Sequence, residues 1–252
     1  MSSVLILCGK TCSGKTFLAQ LLKSEFGYEE TISTTTRAPR QHLNEIDGVS
    51  YHFTDEAHFL ELEAKGEMAE SFCFTDESGA RIHYGTTKEA ITQLTDMQKK
   101  VVAVLEPEGA VNLHNYCVQN NIPVSIGYLE CPVSLQMQRY QAERIHNGNI
   151  EFTEGEKKSH IDRLNRMNGI EAMWDALPSY DFYIPVLEGE DALRDYVETL
   201  ESHAELFSSI EEYKEPLNLS KAAPSSSALG ERLFDKMLSS TKPESSIGFS
   251  IR

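Results

Sequence analysis

The sequence predicts an α/β protein with a three-layer αβα architecture, a parallel sheet covered by helices on both faces. Three observations predict it. Residues 4–8 and 101–105 are apolar runs without polar alternation, as in strands buried on both faces. Strand-like and helix-like segments alternate along most of the chain. A glycine-rich turn follows the first apolar run directly and opens a segment with helical spacing.

Each element has its own signal. After the strand at 4–8, Phe17, Leu18, Leu21, Leu22 and Phe26 recur at helical spacing, and Gly27 is the stop. Residues 31–36 are rich in β-formers, and 49–54 resume a strand pattern. Asp55 is placed to cap a helix carrying Phe59, Leu60 and Leu62, which stops near Gly66. Strands at 68–74 and 81–84 flank a turn cluster, so the middle of the chain reads as a small β-rich insert. The run at 100–106 leads into a helix ending near Asn121, and 123–129 is the next strand. Pro132 suits the first turn of another helix. Residues 148–155 are polar, and a charged helix from about 156 carries Ile161, Leu164, Met167 and Ile170. A strand at 180–186 and a helix at 191–207 complete the pattern, and Trp174 is expected in the core. From about 211 the chain turns serine-rich and polar around a short amphipathic piece, Leu229 to Leu238.

Composition narrows the partners. The 252 residues carry 39 Asp and Glu against 23 Lys and Arg, a net charge of −16. Nucleic acid is a poor partner for such a field, because backbone binding needs clustered cations. The five cysteines form no CxxC pair, which fits reduced thiols in a cytoplasm. Cys12, inside the glycine-rich turn, reads most simply as a small filler. The start of the chain lacks a basic segment before its short apolar run, and no stretch approaches membrane-spanning length. The expectation is a cytoplasmic protein with no membrane or nucleic-acid partner. Its oligomeric state is left open.

Gly9-Lys10-Thr11-Cys12-Ser13-Gly14-Lys15-Thr16 fits G-x-x-x-x-G-K-[ST]. Glycines let the backbone curl so that successive N–H groups converge on phosphate oxygens. The helix that follows adds the positive end of its dipole. Lys15 suits the β- and γ-phosphates of a nucleoside triphosphate, and the Thr16 hydroxyl suits a Mg²⁺ ion bound with them. Strand, loop and helix occur in the order that this motif requires.

A second cluster is cationic. Arg37 and Arg40 flank Pro39 after a threonine-rich strand end, and two nearby guanidinium groups suit a phosphate dianion. Tyr51 and Tyr84 could add hydroxyl donors. Taken by itself, a surface loop with two arginines is more often solvated than functional.

The residues from Ser33 through Arg40, then Glu45, Gly48, Tyr51 and Phe53, resemble the guanylate kinase family. So do residues 66–70 and Tyr84-Gly85-Thr86-Thr87, and the resemblance runs from about 3 to 206. It implies a P-loop NTPase-type core, a monophosphate-binding insert at 34–99 and a helical lid at 139–169. The core is then 1–33, 100–138 and 170–210, and 211–252 is a polar, partly disordered tail. It implies ATP-dependent phosphorylation of GMP or dGMP. Arg37, Arg40, Tyr51 and Tyr84 would hold the acceptor phosphate, and Ser33, Glu70 and Thr86 would contact guanine. A carboxylate at Glu70 makes chemical sense, since guanine offers N1–H and an exocyclic amine where adenine offers a lone pair.

The chain also departs from the family. Where the family carries an Asp-x-Asp pair, it has Val104 and Glu106, leaving one carboxylate to approach Mg²⁺ waters or guanine. The segment 40–45 is two residues longer than usual, the hairpin after Phe74 is longer, and Val186 stands where the family tends to have Asn. By resemblance, Arg139 and Arg163 match the lid arginines and Arg144 matches more loosely. Arg163 and Arg166 share a helix face. Two other readings keep the fold: a kinase of another nucleoside monophosphate or a phosphosugar, and a non-catalytic interaction module.

Overall fold

A computed structural model of the chain describes residues 2–10, 12–40, 44–75, 79–129, 131, 135, 136, 138, 139, 181–184 and 190–202. In chain order these form β1 (Ser3–Gly9), α1 (Lys15–Glu25), β2 (Tyr28–Glu30), β3 (Thr34–Thr35), β4 (His52–Phe53) and α2 (Glu56–Ala64). Then follow β5 (Met68–Thr75), β6 (Arg81–Thr87), α3 (Lys88–Asp96), β7 (Lys100–Val104) and α4 (Pro107–Gln119). The described elements end with β8 (Val124–Leu129), β9 (Phe182–Ile184) and α5 (Glu190–Ser202).

The main sheet has the order β2-β7-β1-β8-β9, and every neighbouring pair is parallel. β1 lies at its centre, which explains its unbroken apolar run. Val4, Ile6 and Cys8 face one way and pack with Ile91 of α3 and Ala110, Leu113 and Cys117 of α4. Leu5 and Leu7 face the other way, onto Leu18, Ala19 and Leu22 of α1 and Val197 of α5. Each such fully buried aliphatic side chain contributes about 1.5–3 kcal/mol relative to exposure. The three-layer α/β reading therefore holds. Among the described residues no helix is long and apolar enough to cross a membrane.

A second sheet has the order β4-β3-β6-β5. β3 runs parallel to β4, and β6 runs antiparallel to both β3 and β5. Asp55 caps α2 as its sequence suggests, accepting from the His58 N–H at 2.8 Å. Between Met68 and Glu70 the β5–β6 register shifts, a bulge that re-aims the side chains beside it.

The structure trims several expectations. The β-forming run 31–36 supplies only Thr34–Thr35 to a strand, and 49–54 only His52–Phe53. Residues 46–51 are instead wound into a turn, with Ser50 N–H on the Ile46 carbonyl at 2.8 Å and Gly48 N–H on the Tyr51 carbonyl at 2.8 Å. Leu60 of α2 is 39% exposed, so that helix buries Phe59 rather than a broad apolar face. β2 and α3 have no counterpart among the elements expected from sequence, although Ala90, Ile91 and Leu94 of α3 recur at helical spacing. Of the helix expected from Pro132, residues 135, 136, 138 and 139 are described and helical. Pro132 itself, the segment 148–155, the helix from 156, Trp174, Val186 and everything past 202 lie outside the described residues.

Candidate active site

The glycine-rich loop lies at the carboxyl edge of the central strand, the usual ligand position in open α/β sheets. Gly9 has φ 146°, and a Cβ there would lie 2.5 Å from the Leu129 carbonyl oxygen. Both facts demand glycine. Gly14, at φ 101°, is the N-cap of α1, whose first turn has no acidic residue to offset its positive end. Cys12 takes the left-handed conformation with φ 60°. Its carbonyl accepts from the Arg139 guanidinium at 3.1 Å, and that of Ser13 at 2.9 Å. The loop's carbonyls are thereby engaged from outside. The Ser13 hydroxyl is buried and meets no hydrogen-bond partner among the described residues. Lys15 Nζ donates to the carbonyls of Gly9 and Lys10, at 2.6 and 3.0 Å, and Thr16 is exposed. Thr11 lies outside the described residues.

Glu106 arrives beside this loop because β7 pairs with β1. Leu7 is in register with Val104, and Leu105 N–H donates to the Leu7 carbonyl at 3.2 Å. Lys15 and Glu106 both act on the Cys8 thiol, which burial pushes far up its scale, with Lys15 opposing and Glu106 reinforcing. Val104 packs against the α1-side core.

The cationic cluster forms around Arg37. Its Nη1 and Nη2 grip the two Glu45 oxygens at 2.9 and 3.0 Å, a bidentate pair. Its Nε donates to the Tyr84 hydroxyl at 2.8 Å, and its guanidinium carbon lies 5.4 Å from the Tyr51 ring centroid. Tyr51 meets Tyr84 edge-on at 5.9 Å, and Phe74 stacks on Tyr84 at 6.2 Å. Burial works against the Arg37 charge, yet Glu45 and Tyr84 raise its pKa above the ordinary value. Burial pushes Glu45 up, but hydrogen bonds from Arg37 and the Arg40 backbone hold it below the usual carboxylate range. Arg40 reaches the cluster through its N–H, 2.6 Å from Glu45 Oε2, while the residue itself is exposed. Sequence reasoning had Glu45 only as a matching position. Its clamp on Arg37 depends on the fold of the intervening loop.

A third group lies on the second sheet. Glu70 is 4% exposed, and Thr86 Oγ1 donates to its Oε1 at 2.7 Å. Ser33 Oγ lies 3.2 Å from Thr86 Oγ1, completing a chain of three polar side chains. Burial pushes the Glu70 carboxyl up to about 7, against hydrogen bonds from the Thr86 side chain and backbone. The structure thus brings together Arg37, Tyr51 and Tyr84, and separately Ser33, Glu70 and Thr86. It sets Lys15, Arg139 and Glu106 about the loop. Arg144, Arg163 and Arg166 lie outside the described residues.

A family model described as guanylate kinase matches residues 1–201. The chain belongs to the guanylate kinase family. Guanylate kinase 1 of rice, Oryza sativa subsp. japonica, is 29% identical over 192 residues, covering 69% of this chain and 46% of the rice protein. The guanylate kinase of Chlamydia muridarum is 27% identical over 163 residues, covering 59% of this chain and 73% of that protein. The chain thus spans less than half the length of the rice relative. The crystal structure of a guanylate kinase from Anaplasma phagocytophilum superposes with a TM-score of 0.54 at 19% identity, covering 86% of this chain and 97% of the other. That likeness shows that the two chains share a fold.

Proposed function

We propose that the chain transfers the γ-phosphoryl group of ATP to the phosphate of GMP or dGMP by direct in-line displacement. The observation that carries this reading is the buried Glu70 carboxylate, held by Thr86 with Ser33 behind it. When ionised it accepts from guanine N1–H and the exocyclic amine. Adenine would set a lone pair against it, and a buried mismatch of this kind costs several kcal/mol. The acceptor phosphate is assigned to Arg37, Arg40, Tyr51 and Tyr84. The Tyr84 hydroxyl accepts from Arg37 and so keeps its own hydrogen for a phosphate oxygen.

The donor triphosphate is assigned to residues 9–16. The buried Ser13 hydroxyl, unpartnered among the described residues, and the uncompensated start of α1 suit phosphate oxygens. Lys15 exchanges its loop carbonyls for phosphate oxygens as charge develops there. Arg139, held at the loop rim, adds a second cation, and Arg144 and Arg163 are assigned to the same task on a lid at 139–169. Insert 34–99 and the rest of 1–210 then serve acceptor and donor, with no covalent intermediate. The donors near the loop, the Thr16 hydroxyl and Glu106, are hard oxygens of the kind Mg²⁺ takes while keeping several waters. Magnesium bound with ATP supplies neutralisation of phosphate charge.

Replacing Glu70 tests the assignment. Glu70→Gln is expected to raise KM for GMP roughly 10- to 100-fold, the range of a lost charged hydrogen bond, and to leave KM for ATP within about twofold. Steady-state kinetics with each substrate varied give both constants. Equal effects on the two would remove Glu70 from guanine recognition.

A further inference from the structure

Gly109 lies in the first turn of α4, two residues after Pro107. Its φ is not among the positive values, so its backbone conformation is open to any residue. Glycine in a helix costs stability relative to alanine, so its presence there has another cause. A Cβ built on Gly109 would lie 2.6 Å from Glu70 Oε2 and 3.4 Å from Glu70 Cδ. The next atom, Leu105 Cβ, is at 3.8 Å, an ordinary contact. The missing side chain therefore makes room for one group, the carboxylate tip. Gly27, Gly48 and Gly66 differ: each has positive φ and open space around it.

We propose that Gly109 is a specificity-determining residue, whose bare Cα lets the Glu70 carboxylate settle against α4 in the orientation that meets guanine. The inference rests on the reading of Glu70 as the guanine-facing group. One Glu70 oxygen is fixed by Thr86 and the other lies against Gly109, so the carboxylate is confined from two sides. A methyl group at 109 cannot be accommodated with the carboxylate in place. What yields is the flexible end of a side chain, not backbone, so the fold survives the change while the carboxylate swings off its axis. A displacement of about 1 Å is enough to spoil two parallel hydrogen bonds to a rigid base.

The same geometry states how the effect is relieved. Aspartate at 70 withdraws the carboxylate by one methylene, away from the methyl at 109. Positions 70 and 109 are thus coupled, which a purely structural glycine would not produce.

The test is a four-way cycle of wild type, Gly109→Ala, Glu70→Asp and the double variant, with kcat and KM measured for GMP and ATP and thermal unfolding followed for each. Gly109→Ala is expected to raise KM for GMP about tenfold or more and leave KM for ATP within about twofold. Its Tm should be unchanged or higher, since alanine favours the helix. In the Glu70→Asp background the same change should raise KM for GMP less than about threefold. A wild-type-like KM in Gly109→Ala, an equal fold-change in both backgrounds, or a collapse of Tm would each overturn the proposal. If wild type takes no GMP, the guanine reading of Glu70 fails and this inference with it. If wild type and Gly109→Ala take GMP equally well, only the role of Gly109 fails.

Discussion

Glu70 combines deep burial with a carboxyl pushed up to about 7 from an ordinary 4.5. Two consequences of opposite sign follow. For folding, a raised native pKa means that the protonated acid's contribution is complete below pH 4.5 and is lost as pH rises through about 7. For guanine binding the ionised form is needed, so affinity grows over the same rise. KM for GMP at saturating ATP is therefore expected to fall between about pH 6 and pH 8, at most tenfold per unit, and to level off above it. The GMP phosphate titrates near pH 6 and contributes in the same direction. Glu70→Gln separates the two, because its profile should be flat between about pH 7 and pH 8. Superimposable wild-type and Gln profiles there would contradict the assignment. KM for ATP should show no Glu70-dependent change.

At the scale of elements, β5 and β6 carry Glu70, Tyr84 and Thr86 on a ladder that leaves little space at its centre. A Cβ on Gly85 would lie 2.8 Å from the Glu70 backbone carbonyl oxygen, 3.0 Å from Phe59 Cζ and 3.3 Å from Ser71 Cβ. Backbone cannot swing aside as a carboxylate tip can. Gly85→Ala is expected to cost about 1–3 kcal/mol of stability by overpacking, measured by denaturant unfolding. Two glycines near one glutamate thus give opposite signatures, instability at 85 and altered KM at 109. The elements differed in how far sequence exposed them. The glycine-rich loop was legible because its pattern is local: strand, glycine turn, Lys15 and helix are contiguous. β1 and β7 were legible because burial on both faces removes polar residues from the run. β2, only three residues at the sheet edge, lacks that pattern, and α3 shows its amphipathic spacing over only nine residues, with Ile91 buried and Leu94 partly so. The first part of the strand expected at 49–54 gave way to a turn whose backbone bonds satisfy 46–51, leaving His52–Phe53 as strand. The Glu45 clamp and the Gly109 contact join residues that only tertiary folding brings together, and no spacing rule reveals them.

At the scale of the molecule, a net charge of −16 coexists with a site proposed for two anionic nucleotides. Local arrangement resolves this: the start of α1, Lys15 and Arg139 surround the loop, and Arg37 lies in an aromatic cluster on the second sheet. The junction of β7 and α4 touches both regions. Leu105 is bonded to β1 just before the glycine-rich loop, Glu106 occupies the N-cap position of α4, and Gly109 lies against Glu70. The regions proposed for donor and acceptor are thus tied through one segment, as alignment of two substrates requires. The central claim is that this alignment serves a guanine acceptor. It is tested most directly by ADP release from ATP–Mg²⁺ with GMP, dGMP, AMP, CMP and UMP supplied in turn, with Lys15→Ala as the control for the phosphate loop. Turnover with GMP or dGMP at least about 100-fold above the others, abolished in Lys15→Ala, is the result expected; turnover with another acceptor and none with GMP or dGMP would contradict the account.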